Sequence, residues 1–435
     1  MLGERTGGNH PTGERDRIEY PNIVPQSITP PQTIMYVSEA DLANQQMVDR
    51  LIALGALWSK PLIGAFRATP RHRFLERVFQ YYRKSERWKE IPTTDLGAVE
   101  LRLVYSDRAL ITRLSPPRWN VPPQPISSSS QPSLMAQMLE DLHLRPGLRV
   151  LEVGAGTGYN AALLAHVVGA GRVISIDVDR AVLAEAWDHL QAFPERHVEL
   201  RHADGRQGWP AGAPFERIMV TAATTDLEPA WLAQLAADGV LLAPLALAPG
   251  LAFIVRGTVR EGVFQGRLTR AAYFMALRAE GETGVVPAPA QPPEEARKVL
   301  PAPWAGWFDH KRGWGGWLRF CQALVFYAFL RGLNVHYQAE ENGTPLFGVS
   351  SATDALCWLG AADWQVTGED GRDLAWTLWR DFLAAGGPRP NEYLLQASPR
   401  QTPTPLHDGE AFSRQGTSCR QLWQIVEPRE RGEMS

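Results

Sequence analysis

The sequence predicts an α/β fold in which a doubly wound, Rossmann-like parallel sheet follows a helical segment and precedes a small α+β domain. Three observations predict it. Between residues 134 and 243, short apolar runs alternate with amphipathic stretches at the spacing of βαβ units. The first apolar run ends in a glycine-rich turn at 154–158. After a proline-rich stretch, the last third of the chain holds nine of the 15 tryptophans and therefore has its own composition.

Composition and charge narrow the class of protein. The chain has 435 residues, 44% hydrophobic and 21% charged, which is typical of a soluble globular protein of roughly three domains. Its net charge of −3 provides no field that would draw it onto nucleic acid or an anionic membrane. The three cysteines lack the spacing of a disulfide framework or a zinc site, and no metal site is predicted. With no apolar signal segment at the N-terminus, a cytoplasmic protein is expected.

The front of the chain is predicted as a flexible arm, 1–34, followed by a helical segment, 35–133. The arm is polar and then proline-rich. Ser38 is a good N-cap for an apolar helical stripe that continues to Leu54, and a second helix is predicted over Lys60–Phe66. Residues 76–127 show no clean period, and their prolines predict an extended approach to a run of four serines that ends at Ser130.

The predicted sheet domain covers residues 134–285. Its strands and helices follow one another along the chain, and two further strands finish the sheet. Strands are predicted at 149–153, 172–176, 198–201, 217–221, 240–243, 251–255 and 271–275, and helices at 160–168, 180–190 and 229–235.

Three segments are predicted beyond the sheet: a proline-rich linker, 286–304, a tryptophan-rich α+β domain, 305–400, and a polar tail, 401–435. The tryptophans are interpreted first as the core of this small domain and second as anchors of a peptide-binding surface. Basic and aromatic residues alternate at 309–320, as in some nucleic-acid platforms. However, residues 291–435 hold 14 Lys and Arg against 17 Asp and Glu, which argues against that use. No pattern predicts an oligomeric state.

The motif that carries chemistry runs from Leu151 to Tyr159, where an apolar strand enters the turn Gly154-Ala-Gly156-Thr-Gly158. Nineteen residues after Gly158, Asp177 ends the next predicted strand, where a carboxylate can accept both ribose hydroxyls of a nucleoside. The G-x-G-x-G spacing, with Glu152 just before it, favours S-adenosylmethionine. Its cationic sulfonium and amino groups suit an acidic neighbour. A nicotinamide or flavin dinucleotide and a purely structural turn are the alternatives.

A second acidic residue follows the third predicted strand. Asp204 could accept a hydrogen bond from an adenine amino group, and Gly205 would let the backbone pass the ring. The alternative is a simple turn, because Asp-Gly is a strong turn dipeptide.

Together these residues resemble the protein-L-isoaspartate O-methyltransferase family. The resemblance extends over about 45–255. It includes a Pro-Arg-x-x-Phe element beginning at Pro70, a Tyr-x-Asp element ending at Asp107, and Ser130-Gln131-Pro132 in the place of the family's Ser-x-Pro active-site element. Further matching segments are Leu151–Tyr159, Val173–Asp177, Ala203–Pro210, Ala213–Ile218, Thr221–Ala223 and Pro229–Leu235.

The resemblance implies a class I methyltransferase sheet that uses S-adenosylmethionine to esterify an aspartyl or isoaspartyl carboxylate of a peptide or protein. The segment 35–133 would face the substrate. By this resemblance Ser130 and Gln131 form the catalytic element, and Ser130 orients the acceptor carboxylate. The residues implied to line the cofactor are Glu152, Gly154, Gly156, Gly158, Asp177, Asp204 and Gly205.

The sequence departs from compact members of the family in three places. Glu216 stands where an Asp is usual, the segment between Phe74 and Ser130 is longer, and the chain continues about 145 residues beyond the expected end of the domain. Long forms of this kind resemble methyltransferases that tailor ribosomally made peptides such as lanthipeptides and graspetides, through an aspartimide. A dedicated precursor peptide is therefore the favoured partner. General repair of isoaspartyl proteins is the alternative, and a cofactor-binding regulator without turnover is a further one.

Overall fold

In a computed structural model of the chain, the described residues are 38–117, 122–280, 282, 298–302, 304, 313–339, 345–351, 355–360, 363–367, 370–400 and 411–426. The predicted arm and most of the predicted linker lie outside these ranges. Both helices predicted near the front of the described chain are present. Helix α1 (Glu39–Ala53) begins directly after the predicted N-cap, and α2 (Lys60–Arg67) begins at the predicted residue. A third, α3 (Ala98–Val104), follows.

The front segment is not purely helical, which corrects the prediction for 35–133. It contains an antiparallel sheet with the strand order β2-β1-β3-β4. Strand β2 and the second half of β1 are largely exposed, so the sequence shows no alternation of apolar and polar residues there. The strands are β1 (Arg77–Tyr82), β2 (Arg87–Pro92), β3 (Leu110–Leu114) and β4 (Pro125–Ser129).

The centre of the molecule is a mixed sheet of ten strands, and its parallel half confirms the predicted βα alternation. This half has the spatial order β9-β8-β5-β6-β7, with helices connecting the strands. The strands are β5 (Val150–Val153), β6 (Val173–Asp177), β7 (Glu199–His202), β8 (Phe215–Val220) and β9 (Leu235–Ala248), and the helices are α4 (Pro132–Asp141), α5 (Tyr159–Val168), α6 (Arg180–Leu190) and α7 (Pro229–Gln234).

The two faces of the sheet bury separate cores because side chains alternate along each strand. Val150 and Met219 point into a core formed with α1, α2, α4 and α5. Leu151 and Ile218 point into the opposite core, which continues into the C-terminal part of the chain. The edge where β5, β6 and β8 end is therefore held rigidly between two packed layers.

The other half of the ten-stranded sheet is antiparallel. Strands β10 (Leu251–Arg260) and β11 (Val263–Ala271) continue from β9 as a meander. After β11 the chain builds a five-stranded sheet with two helices against it, α8 (Gly313–Leu330) and α9 (Gly371–Ala384). The strands of this smaller sheet are β12 (Lys298–Pro301), β13 (Asn334–Ala339), β14 (Pro345–Ser350), β15 (Leu356–Leu359) and β16 (Asp363–Thr367).

The chain then returns to the central sheet, and this corrects two predicted boundaries. Strand β17 (Tyr393–Pro399) pairs with β11, while β18 (Ala411–Gln415) and β19 (Cys419–Ile425), in the predicted polar tail, extend the same sheet. The segment 305–400 is therefore not a separate domain, and part of the predicted linker is β12. The polar composition of these strands misled the prediction because polar residues such as Gln421, 2% exposed, are buried there.

The late tryptophans mainly build this shared core. Trp304, Trp364, Trp379 and Trp423 are buried and contact other aromatic rings, which confirms the core interpretation for these four. Trp376 is 45% exposed. Among the described helices, none combines the length and apolar character needed to cross a bilayer.

Candidate active site

A cleft opens where the parallel strands β5, β6 and β8 end, the edge at which open α/β sheets bind ligands. It encloses about 980 Å³ measured out to its mouth. Strand β4 covers it from one side and the segment after β11 from another. Most of the residues around it come from five ranges, and Met135, Met138 and Gly205 complete the lining. The ranges are 126–130, 152–160, 176–178, 219–222 and 274–278.

Gly154 and Gly156 of the glycine-rich turn line one wall, whereas Gly158 is not among the residues that line the cleft. Gly154 has a φ of +102°, and a Cβ at this position would collide with the hydroxyl of Thr221. Gly156 has a φ of +52° and faces the carbonyl of Ser128 in β4. The missing side chains therefore let the turn form and let β4 approach it closely. Gly158, at φ +81°, starts α5.

Glu152 lies at the floor of the cleft and is fully buried. Its carboxylate accepts hydrogen bonds from the amide nitrogen of Asn160 at 2.7 Å and from the hydroxyl of Ser175. Burial raises the pKa of Glu152 to about 7, against the effect of these two hydrogen bonds. A positive charge beside the carboxylate would favour its ionised form.

Asp177 ends β6 and lies on the cleft wall. One carboxylate oxygen accepts the backbone N–H of Gly156 at 3.2 Å, and the other accepts that of Asp179 at 3.0 Å. Burial raises the pKa of this carboxyl group. Each oxygen keeps a further lone pair, so the group can still accept hydrogen bonds from ligand hydroxyls.

Ser130 lies on the cleft wall, directly after β4, and a buried arginine that the sequence analysis did not assign holds it there. The guanidinium of Arg71 donates to the carbonyls of Ser129 and Ser130 at 3.1 and 2.9 Å and to the hydroxyl of Ser129 at 3.1 Å. It also donates to the carbonyls of Val104, Ser106 and Arg108. Burial lowers the pKa of Arg71 to about 10, so it remains a cation at neutral pH. The one signal for it in the sequence is its place in the Pro-Arg-x-x-Phe element.

Gln131, predicted as catalytic, is not among the residues that line the cleft. Its amide donates to the carboxylate of Asp107 at 3.0 Å and to the hydroxyl of Ser133 at 3.0 Å. Asp107 also accepts the backbone N–H of Ser133 in the first turn of α4, at 2.8 Å. Burial opposes ionisation of Asp107, but these contacts together outweigh it and lower its pKa. Gln131 and Asp107 thus hold the start of α4 rather than face the cleft.

Gly205 lines the cleft and Asp204 does not. A Cβ on Gly205 would lie 2.6 Å from Val153 and 2.8 Å from Leu277, so this position requires glycine. The Asp204 carboxylate instead binds the guanidinium of Arg206, with N–O distances of 3.0 to 3.2 Å. This arrangement agrees with the turn interpretation of the dipeptide.

Sequence analysis missed the wall formed by residues 274–278. A strand was predicted over 271–275, but β11 ends at Ala271 and the chain continues irregularly along the cleft. Leu277 donates its N–H to the carbonyl of Ala223 at 2.7 Å, and Arg278 donates to the carbonyl of Ile126 in β4 at 3.1 Å. No sequence motif marks this segment, because tertiary contacts decide its place.

The donors and acceptors of the cleft fit a nucleoside that carries a cationic group. Asp177 offers oxygens to hydroxyl donors. Beside Glu152, the side-chain oxygen of Asn160 is buried without a hydrogen-bond donor among the described residues. An ammonium group next to these two side chains would supply both the missing donor and a positive charge, and a sulfonium group would add positive charge.

Comparisons with known proteins find similarity to one family of methyltransferases. Residues 102–277 match the family described as protein-L-isoaspartate(D-aspartate) O-methyltransferase. The chain is 46% identical over 123 residues to protein-L-isoaspartate O-methyltransferase 1 of Anaeromyxobacter sp., covering 28% of this chain and 57% of that protein. It is 46% identical over 116 residues to the Klebsiella pneumoniae protein-L-isoaspartate O-methyltransferase, covering 27% of this chain and 55% of that protein. The chain thus spans little more than half the length of these curated relatives. A solved protein-L-isoaspartate O-methyltransferase aligns with a TM-score of 0.47 and 20% identity, over 81% of this chain and 96% of that one.

Proposed function

We propose, from the match of residues 102–277 to the protein-L-isoaspartate O-methyltransferase family, that the protein is an S-adenosylmethionine-dependent carboxyl methyltransferase. It would esterify the side chain of an aspartyl or isoaspartyl residue in a peptide or protein. The observation that carries the proposal is the meeting of Ser130 with the glycine-rich turn, Glu152 and Asp177 around one cleft.

The residues that would hold the cofactor are those whose polar atoms or missing side chains face the cleft. Asp177 would bind the ribose hydroxyls, Glu152 and Asn160 the cationic end, and Gly205 would lie against the adenine. When bound, S-adenosylmethionine supplies the methyl group that is transferred. The methionines of the cleft, among them Met135 and Met219, provide an apolar wall that excludes water from the reacting groups.

The acceptor needs positioning rather than activation. A carboxyl group with a pKa of about 4 is ionised at neutral pH, so the protein need not remove a proton. Ser130, held by Arg71 through its carbonyl, would orient the acceptor carboxylate with its hydroxyl. Orientation and desolvation account for the catalysis in this proposal.

The methyl ester is more electrophilic than the carboxylate it replaces. The nitrogen of the following peptide bond can lose its proton and attack the ester carbonyl. Methoxide then leaves, takes up one proton to become methanol, and a succinimide ring closes with no net release of protons. In a tailoring enzyme this ring, or the isoaspartate formed by its hydrolysis, is the product.

For the acceptor we favour a dedicated precursor peptide over general repair. The support is the chain beyond residue 277, which builds a second sheet and returns to the central one. A repair enzyme that accepts many sequences needs little surface beyond the cleft. We also propose a cytoplasmic location, in keeping with the three free, buried cysteines.

The test is mass spectrometry after incubation with S-adenosylmethionine and either an isoaspartyl test peptide or a precursor peptide encoded beside the gene. Addition of one methyl group to the test peptide supports repair, and loss of water from the precursor alone supports tailoring. Ser130→Ala should abolish either change with cofactor binding intact. If neither peptide changes although the protein binds the cofactor, both enzyme proposals fail and the regulator without turnover takes their place.

A further inference from the structure

The C-terminal hairpin of β18 and β19 is tied to the wall of the cleft by one buried carboxylate. Asp226 is 1% exposed and lies five residues after Thr221, which lines the cleft. One of its oxygens accepts the backbone N–H groups of Ser418 and Cys419, both at 2.8 Å. The other accepts the side-chain amide of Gln421 at 2.6 Å and the N–H of Leu227 at 2.8 Å. Three of these four donors belong to the hairpin.

The segment between Thr221 and Asp226 forms hydrogen bonds along its whole length. The hydroxyl of Thr221 donates to the carbonyl of Gly154 in the glycine-rich turn at 2.8 Å. Ala223 donates its N–H to the carbonyl of Met275, at 2.8 Å, and so joins the wall 274–278. The hydroxyl of Thr224 donates to the carbonyl of Asp226 at 2.8 Å. A displacement of Asp226 would therefore move the backbone that shapes two sides of the cleft.

We infer that Asp226 is a positioning residue through which the C-terminal hairpin sets the geometry of the cleft wall at Thr221 and Ala222. The expected effect on methyl transfer rests on the proposed function. The expected effect on the position of the cleft wall does not. The hairpin lies outside the residues that match the family, 102–277, so the contact is a property of this chain's extension. The extension would then complete the active site in addition to any contact it makes with a peptide.

Gly416 offers a test from the hairpin side. A Cβ at Gly416 would lie within 2.6 Å of the carboxylate carbon of Asp226, so Gly416→Ala pushes the carboxylate away without changing any residue of the cleft. The matched control is Gly315→Ala in α8, where the nearest atom to the added Cβ is an arginine side-chain nitrogen 3.6 Å away. Asp226→Asn is a second variant, which keeps the shape but presents an N–H₂ group to backbone donors.

Two measurements separate positioning from mere stability. The first is the NMR signal of methionine methyl groups: those of Met219 and Met275, which line the cleft, should shift in Gly416→Ala and Asp226→Asn, while that of Met47 in α1 should not. The second is methyl transfer. In both variants its kcat/KM should fall at least tenfold, while the Kd for S-adenosylhomocysteine should change less than threefold. Gly315→Ala should match the unmodified protein in both.

Unmoved Met219 and Met275 signals and an unchanged kcat/KM in both variants, with a lower melting temperature, would overturn the inference and leave Asp226 a structural residue. The NMR result stands independently of catalysis. If the unmodified protein transfers no methyl group, the proposed function fails, while the position of the cleft wall is still tested by the methyl signals.

Discussion

At the scale of single residues, the electrostatics of the cleft concentrate on Glu152. Strand alternation places Glu152 on the face of β5 opposite Leu151 and Val153, which enter the core, and its position near the end of β5 brings it to the ligand edge. Burial without a cation partner raises its pKa to about 7, so protonated and ionised forms coexist near neutral pH. Ligand binding is therefore coupled to this proton.

We expect the affinity for S-adenosylmethionine to depend on pH through Glu152. A cationic ligand favours the carboxylate, which is depleted below its pKa of about 7. The Kd measured by calorimetry should be roughly tenfold higher at pH 6 than at pH 8. Glu152→Gln should weaken binding at pH 8 and remove most of this dependence. Equal Kd values at both pH values in the unmodified protein would refute the role of Glu152.

Asp177→Ala should raise the Kd for S-adenosylhomocysteine by about 10- to 100-fold, because shielded hydrogen bonds to a carboxylate contribute about 1.5–3 kcal/mol each. Calorimetric titration measures this. The control is Asp188→Ala, which removes an exposed carboxylate on the neighbouring helix α6. This variant should bind S-adenosylhomocysteine with the affinity of the unmodified protein. Unchanged affinity in Asp177→Ala would show that this carboxylate does not bind the ribose.

Sequence patterns locate several residues that line the cleft, but they do not reveal the residues that hold the cleft in place. Glu152, Asp177 and the glycines fall within a short stretch of βαβ pattern, so local spacing suffices to place them. Arg71 and Asp107 act across 59 and 26 residues, on Ser130 and Ser133, through contacts with backbone atoms. Backbone carbonyls are present at every position, so no spacing rule can identify which ones a distant arginine will bind.

At the scale of elements, the connection between β4 and α4 is held from two sides. Arg71 binds the carbonyls at the end of β4, and Asp107 binds the first turn of α4. The segment 104–108 takes part in both contacts. Its carbonyl groups accept hydrogen bonds from Arg71, and its Asp107 side chain binds α4. Ser130 lies between the two, so its place depends on elements far from it in sequence.

Replacing Arg71 should destabilise the protein and impair catalysis together. Arg71→Ala leaves several buried carbonyls without donors, at a cost of about 1–3 kcal/mol each, so urea unfolding should show a loss of at least about 3 kcal/mol. Arg71→Lys keeps the charge and should fold better, yet lower the rate of methyl transfer with little change in cofactor Kd. The control Arg67→Ala removes an exposed ion pair with Asp49 and should cost less than about 1 kcal/mol. A stability of Arg71→Ala equal to that of this control would contradict the assignment.

At the scale of the whole molecule, the tryptophan-rich part and the central ten-stranded sheet share one core. Phe326 of α8 contacts Phe253 of β10 and Trp423 of β19, so the rings of the extension pack directly on the central sheet. The sequence suggested separate units because proline and tryptophan content change abruptly after residue 285. The composition of a segment does not reveal which other part of the fold it packs against.

A shared core predicts one unfolding transition instead of two. Nine of the chain's 15 tryptophans lie beyond residue 290, so tryptophan fluorescence reports mainly on the extension. It should change at the same temperature as far-ultraviolet circular dichroism, which reports on the whole chain. S-adenosylhomocysteine should raise both midpoints equally, because it binds the native state of a single cooperative unit. Two separated transitions, with one insensitive to the ligand, would show independent domains.

The pairing of β11 with β17 has a consequence in time. The ribosome finishes β11 about 120 residues before it begins β17, which at 5–20 residues per second is a delay of roughly 6–24 s. During that interval β11 presents an open hydrogen-bonding edge to neighbouring nascent chains. The yield of soluble protein should therefore depend on the rate of translation and on chaperones that shield this edge until the last strands arrive.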